Sequence, residues 1–174
     1  SSGASYSFVI NDLAGTLIDP YELSVGTVTL SVQTSFGWNV FSINVLADDM
    51  SPDAVLASLD PSLNDQIKNP SGSAVYYGEE YGWVGSLGAI DVTSMYMINI
   101  SSSGALVFTG TPVDPSITPI SLAPGWNWIS YLPQGTLDVN AALSTVTGTL
   151  NDQIKNPNGS AVYYGEEYGW VGSL

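Results

Sequence analysis

The stretch LNDQIKNPSGSAVYYGEEYGWVGSL, Leu63 to Leu87, returns as Leu150 to Leu174 with one change, Ser71 becoming Asn158. A block copied so closely within 174 residues restricts the chain to a repeat architecture, and the flanking text must then read in the same register. GWNVFSINV (37–45) matches GWNWISYLP (125–133). Each is followed by a short stretch with helical spacing, SPDAVLASL (51–59) and LDVNAALSTV (137–146). Ser51 is placed to cap the first helix with Pro52 at its first position, and Asp138 is placed to cap the second. After the first block come GAIDVTSMYMINIS (88–101) and a tail ending in ISLAP.

The expected organisation is a first complete repeat module, 37–124, and a second module, 125–174, that lacks a counterpart of MYMINIS. Residues 1–36 have no GWN start, but they contain YSFVIND (6–12). Its FVIN falls opposite YMIN (96–99) at the spacing that separates Gly37 from Gly125. Residues 1–36 therefore read as the displaced end of a repeat, a donor segment for the incomplete module.

Most segments alternate with the period of a half-buried strand. In TVTLSVQ (27–33), Val28, Leu30 and Val32 take one face, and Thr27, Thr29, Ser31 and Gln33 the other. In MYMINIS, Tyr96, Ile98 and Ile100 alternate with Met95, Met97 and Asn99. ALVFTGTPV and AVYYGEE also read as strands, and NPSGS, NPNGS, SSSGA and TPVDP read as turns. The fold class expected is mainly β: two tandem sandwich-like or barrel-like modules, each with one short helix, completed by the displaced N-terminal strand segment.

A β-module without its last strands exposes a sheet edge and part of its core, and each buried backbone group left unpaired costs about 1 kcal/mol or more. Three completions are open: the chain's own N-terminal segment, the N-terminal segment of a second copy, or further repeats of a longer array. A head-to-tail contact between copies is heterologous and grows a filament unless it closes. Repeats stacked in series hold the two ends of the chain apart, which favours the filament over the ring. The inserted strand is then Tyr6 to Asp12, with Phe8 and Ile10 facing the acceptor core and Val9 and Asn11 between them. The acceptor is expected around Trp126, Trp128, Ile129, Tyr163, Trp170, Val171 and Leu174.

Composition narrows the chemistry. Sixteen Asp and Glu stand against two Lys, with no Arg, His or Cys, for a net charge of −14. Such a surface repels nucleic acid and anionic membranes. Imidazole bases, thiolates, disulfides and the usual zinc ligands are excluded outright. No run is long enough for a transmembrane helix. With no nucleophile beside a base and no well-separated acid pair, the chain is expected not to be an enzyme. No cofactor is expected. Asp48, Asp49 and Asp53 in ADDMSPD could hold Ca²⁺ weakly, but the second copy reads PQGTLDV with a single Asp, so a required ion is not expected.

GWNWISYLP, AALSTV, NDQIKNPNGSAVYYGEEYGWVGSL and YMINIS together resemble the tandem GWN–helix–YMI repeats of secreted and cell-surface bacterial proteins. That resemblance implies an extracellular address and a non-catalytic role; it implies nothing about polymerisation.

Two further features invite a site. Lys68 and Lys155 occupy the same repeat position, where a Lys either neutralises a nearby acid such as Asp65 or, if buried, forms an isopeptide bond; the ion pair is the commoner arrangement. YYGEEYGW places Tyr76, Tyr77, Glu79, Glu80, Tyr81 and Trp83 together, and Tyr164, Glu166, Glu167 and Tyr168 in the second copy. Aromatic faces and carboxylates can grip a polysaccharide. The alternative is a hairpin whose aromatics divide between core and interface, with the two Glu residues in its turn. Asn99 and Asn158 fit the N-glycosylation pattern, and 158 lies in a turn.

Overall fold

The computed structural model describes residues 26–174, together with the backbone of residues 6–8 and 21–23. Five strands come first: β1 (Tyr6–Phe8), β2 (Tyr21–Leu23), β3 (Val28–Thr34), β4 (Gly37–Ser42) and β5 (Val45–Leu46). Helix α1 (Pro52–Leu56) continues into a 3-10 turn, Ala57–Leu59. Then follow β6 (Gln66–Asn69), β7 (Gly72–Tyr76), β8 (Trp83–Gly85), β9 (Met95–Ile100) and β10 (Gly104–Pro112). Helix α2 (Val139–Ala142) precedes β11 (Gln153–Asn156), β12 (Gly159–Tyr163) and β13 (Trp170–Ser173). The protein is thus mainly β, as its alternation requires, and every strand pair is antiparallel.

The chain divides into two compact units, one ending at Leu132 and the other running from Pro133 to Leu174. In the first, a five-stranded sheet has the order β4-β9-β6-β7-β8, and a three-stranded sheet has the order β3-β10-β5. The two sheets share one core. Ile67, Tyr96 and Ile98 come from the first sheet and Leu106 and Val45 from the second, all fully buried. Helix α1 adds Val55 and Leu56 to the same core. Shared burial of this kind, with one face of each sheet turned inward, is the arrangement of a β-sandwich.

The pattern along β9 shows why. Tyr96, Ile98 and Ile100 are buried and Met95, Met97 and Asn99 are half-buried, as the period of two demands. Along β3, Leu30 and Val32 pack against the core while Thr29 is exposed and its hydroxyl bonds that of Thr109 across the ladder at 2.8 Å. The strand read at AVYYGEE is shorter than its sequence: β7 ends at Tyr76, because Gly78 takes φ +90° and turns the chain back.

Both helix starts follow their caps. The Ser51 hydroxyl accepts from Ala54 N–H at 3.2 Å, with Pro52 at the first helical position. The Asp138 carboxylate accepts from Asn140 N–H at 2.9 Å. The GWN motif is also a local device. Gly37 has φ +90° and Gly125 φ +97°, a conformation open to glycine. The Asn that follows folds back onto this turn. Asn39 Oδ1 accepts from Ser35 N–H at 2.8 Å, and its Nδ2 donates to Ser35 O at 2.6 Å and Gly37 O at 2.9 Å. Asn127 repeats the three bonds with Ala123 and Gly125.

Among the described residues, Tyr96 is the largest fully buried side chain. Its ring stacks on Phe41 at 5.6 Å, and its hydroxyl accepts from Asp91 N–H at 2.7 Å. Burial pushes the phenol above its ordinary pKa, the backbone of Asp91 opposing. The folded state therefore holds the proton more tightly than the unfolded chain does. Its stabilising effect is complete below the unfolded value of about 10 and is lost as pH rises above it. Urea unfolding should show stability falling above about pH 10, and Tyr96→Phe should flatten that fall while lowering stability near neutrality by about 1–3 kcal/mol for the orphaned Asp91 N–H.

Candidate functional site

The duplicated block folds the same way twice. Gln66 to Asn69 pair with Val75 to Gly72, and Gln153 to Asn156 pair with Val162 to Gly159 in the same register. The turn between these strands is closed by an Asn. Asn69 Oδ1 accepts from the N–H groups of Ser71 and Gly72, both at 2.9 Å, and Asn156 Oδ1 accepts from Asn158 at 2.8 Å and Gly159 at 2.9 Å. Ser71 and Asn158 give this turn their backbone N–H, with the side chain exposed, so the single difference between the copies leaves the turn intact.

A second shared device ties each helix to its hairpin. Asp53 Oδ1 accepts from Trp83 N–H at 3.0 Å. Asn140 occupies the matching position, accepting from Trp170 N–H at 2.7 Å and donating to Trp170 O at 3.0 Å. Gly82 and Gly169 make room for it: each has positive φ, and a Cβ at either would collide with the Asp53 or Asn140 side chain. The indoles so held are buried and pack on the preceding tyrosine, Tyr76–Trp83 at 5.5 Å and Tyr163–Trp170 at 5.4 Å.

The copies differ in what lies beside them. In the first unit β6 pairs with β7 on one side and β9 on the other, in the register Gln66↔Asn99, Ile67↔Ile98 and Lys68↔Met97. Among the described residues β11 pairs with β12 alone. Side chains along the two strands record the difference. Ile67 is fully buried, and Ile154 is half-buried. Asp65 is buried and accepts from Ser101 N–H at 2.9 Å and Ser101 Oγ at 2.6 Å, from the residue after β9, as well as from Ser62 N–H at 2.9 Å. Asp152 keeps the last of these as a 2.7 Å bond from Thr149 N–H, and it is exposed. Helix α1 buries Val55 and Leu56; α2 buries no residue.

The acceptor residues expected from sequence are divided between the units. Tyr163, Trp170, Val171 and Leu174 lie in the second. Trp126, Trp128 and Ile129 lie in the first and do not form a counterpart of β4. Met95 N–H donates to Trp128 O at 3.2 Å, Ser130 N–H donates to Thr93 O at 3.1 Å, and Ile129 bridges Ser94. Leu132 then enters the first unit's core at 5% exposure. Backbone groups at the start of β9 gain partners this way, and Leu132 gains burial. Of the donor stretch, Tyr6 and Phe8 lie in β1, which pairs with β2 from Tyr21 to Leu23. Val9, Ile10, Asn11 and Asp12 lie outside the described residues.

Lys68 Nζ stands 4.4 Å over the Trp38 ring, a cation–π contact in place of the expected pairing with Asp65, whose oxygens are taken by Ser62 and Ser101. Lys155 is exposed on β11. Two of the three candidate calcium carboxylates, Asp49 and Asp53, have other duties. Asp49 Oδ1 accepts from Ser51 N–H at 2.8 Å, and bonds from the Ser51 backbone, then its side chain, lower the Asp49 pKa. Asp53 holds Trp83. Among the described residues no three Asp, Glu, His or Cys side chains gather to hold a metal ion. Asn99 is half-buried in β9, an interior strand of its sheet, while Asn158 is exposed in a turn. No described helix is long and apolar enough to cross a membrane.

The aromatic block splits as a hairpin does. Tyr76 and Trp83 face inward, whereas Tyr77 and Tyr81 are 52% and 66% exposed, with Glu79 and Glu80 exposed between them. Tyr164, Tyr168, Glu166 and Glu167 repeat this in the second unit. No family model matches the chain, and neither a curated protein nor a solved structure does.

Because the copies are chemically identical along β6 and β11, truncation reads their surroundings directly. Ile67→Ala should cost about 2–5 kcal/mol in urea unfolding of separate subunits, as a fully buried Ile does. Ile154→Ala should cost less than half as much, and equal costs would show the two edges to be equally covered.

Proposed function

We propose that the protein is an extracellular structural subunit that polymerises head to tail, a strand from one copy completing the second unit of the next. The observation that carries this reading is that, among the described residues, β11 is paired on one side, whereas its twin β6 has β9 on its other edge. The tandem-module organisation and the displaced donor segment belong to the same proposal.

The donor is Tyr6 to Asp12. Its Phe8, Val9, Ile10 and Asn11 repeat the character of Tyr96, Met97, Ile98 and Asn99. Entering in the register of β9, Asn11 lies opposite Gln153, Ile10 opposite Ile154 and Val9 opposite Lys155. Each apolar side chain buried contributes about 1.5–3 kcal/mol. Each backbone hydrogen bond added to the ladder contributes about 0.5–1.5 kcal/mol. A strand of this length supplies enough of both to offset the entropy of association. Asp12 falls where β9 has the buried Ile100, so the donor ladder ends one residue earlier than β9 does. The resemblance to repeats of secreted bacterial proteins supports the extracellular address. The absence of His, Cys and Arg supports a structural over a catalytic role.

Electron micrographs of the purified protein should show filaments, which deletion of residues 1–12 abolishes. A free peptide of residues 6–12 should cap subunits and shorten them. Filaments that form unchanged without residues 1–12 end the reading. Subunits carrying a charge of −14 repel one another, so assembly followed by light scattering should also speed up from low to physiological ionic strength.

A further inference from the structure

We propose that the surfaces Tyr77–Tyr81–Val84 and Tyr164–Tyr168–Val171 are two equivalent binding sites for a neutral polysaccharide. The proposal is independent of head-to-tail assembly, since these residues lie on the hairpin turn and β8 or β13, away from the edge of β11.

The hairpin sets the geometry. Tyr77 N–H donates to Gly82 O at 2.9 Å and Gly82 N–H to Gly78 O at 2.8 Å, closing a turn that the second copy repeats with Tyr164, Gly165 and Gly169. Period-two alternation sends Trp83 into the core and leaves Val84 outside, 49% exposed. Tyr77 and Tyr81 remain outside with it, and the second set matches closely: Tyr164 52%, Tyr168 65% and Val171 51% exposed. These last three line an open surface hollow of about 350 Å³.

Core packing accounts for Tyr76, Trp83, Tyr163 and Trp170 but asks nothing of the exposed three. They lie in the duplicated block, so both units present the same three exposed side chains.

Charge selects its class. Glu79 and Glu80, with Glu166 and Glu167, border the two patches, and the whole chain holds two Lys and no Arg. Phosphate, sulfate or uronate groups would be repelled. So would a second copy docked patch to patch, which would bring two Glu pairs together with no guanidinium between them. A neutral sugar meets none of this. Its C–H faces stack on the tyrosine rings, and its hydroxyls donate to the glutamate carboxylates. A polymer of repeating sugars also suits a repeated site, since it offers each patch the same ligand.

The test is affinity electrophoresis and calorimetry of the full chain against neutral polymers (β-1,3-glucan, β-1,4-glucan, mannan), with polygalacturonate and heparin as anionic counterparts. At least one neutral polymer should retard the protein, and neither anionic one should. Tyr81→Ala or Tyr168→Ala alone should remove one of the two binding sites seen in calorimetry, and the double variant should abolish binding, with melting temperature unchanged because both side chains are exposed. Binding equal for anionic polymers, binding that survives the double substitution, or no binding to any neutral polymer overturns the proposal. Sedimentation of the double variant covers the remaining occupant: loss of self-association without any polysaccharide binding would assign the patch to a second copy and overturn it as well.

Discussion

Backbone pairing on both edges of β9 holds the first unit together. With β4 on one side and β6 on the other, this strand joins the residues before the helix to the duplicated block, and its inward face supplies Tyr96, Ile98 and Ile100 to the core. Asp65 reinforces the join by receiving both the N–H and the hydroxyl of Ser101 where β9 ends. In the second unit the same block, among the described residues, presents β11 with β12 alone beside it, and its Asp and Ile are less buried. An unpaired edge next to half-buried aliphatics is a template for another strand, and the assembly proposal is that template put to use.

A chain without Arg, His or Cys has few ways to tie loops down. This one relies on short acidic and amide side chains that close onto backbone N–H groups. Asn39 and Asn127 fold the GWN turns, Asn69 and Asn156 fold the hairpin turns, and Asp53 and Asn140 anchor the indole-bearing strands to their helices. Asp49, Asp65, Asp114 and Asp138 act in the same way. Part of the acidic excess is thus structural, since Asp accepts from two donors in a tight turn where a longer side chain cannot. Glu79, Glu80, Glu166 and Glu167 are exposed and stay outside this work, so they shape what the surface attracts.

Local order was legible from residues alone: the alternation of β3 and β9, the caps at Ser51 and Asp138, the turns at the duplicated Asn, and the division of YYGEEYGW into inward and outward rings. Each depends on neighbours a few positions away, where period and hydrogen-bonding reach settle the outcome. The role of Asn in GWN was missed, although glycine ahead of an amide is the signal that a positive-φ turn with a side-chain clamp leaves in a sequence.

Partnership across the chain was decided elsewhere. GWNW at 125–128 matches GWNV at 37–40, yet β4 forms a full ladder with β9 while Trp128 to Ser130 make isolated contacts with Thr93 to Met95. Lys68 likewise found the Trp38 ring, which a ladder two strands away brings to it, and not the Asp65 that is near in sequence. The sequence by itself determined the repeat, the strand faces and the turns, because these follow from short-range sterics and periodicity. Only the tertiary structure decided that β9 covers β6 while, among the described residues, nothing covers the matching edge of β11, because a strand's partner depends on what else in the fold competes for the same backbone donors and apolar face.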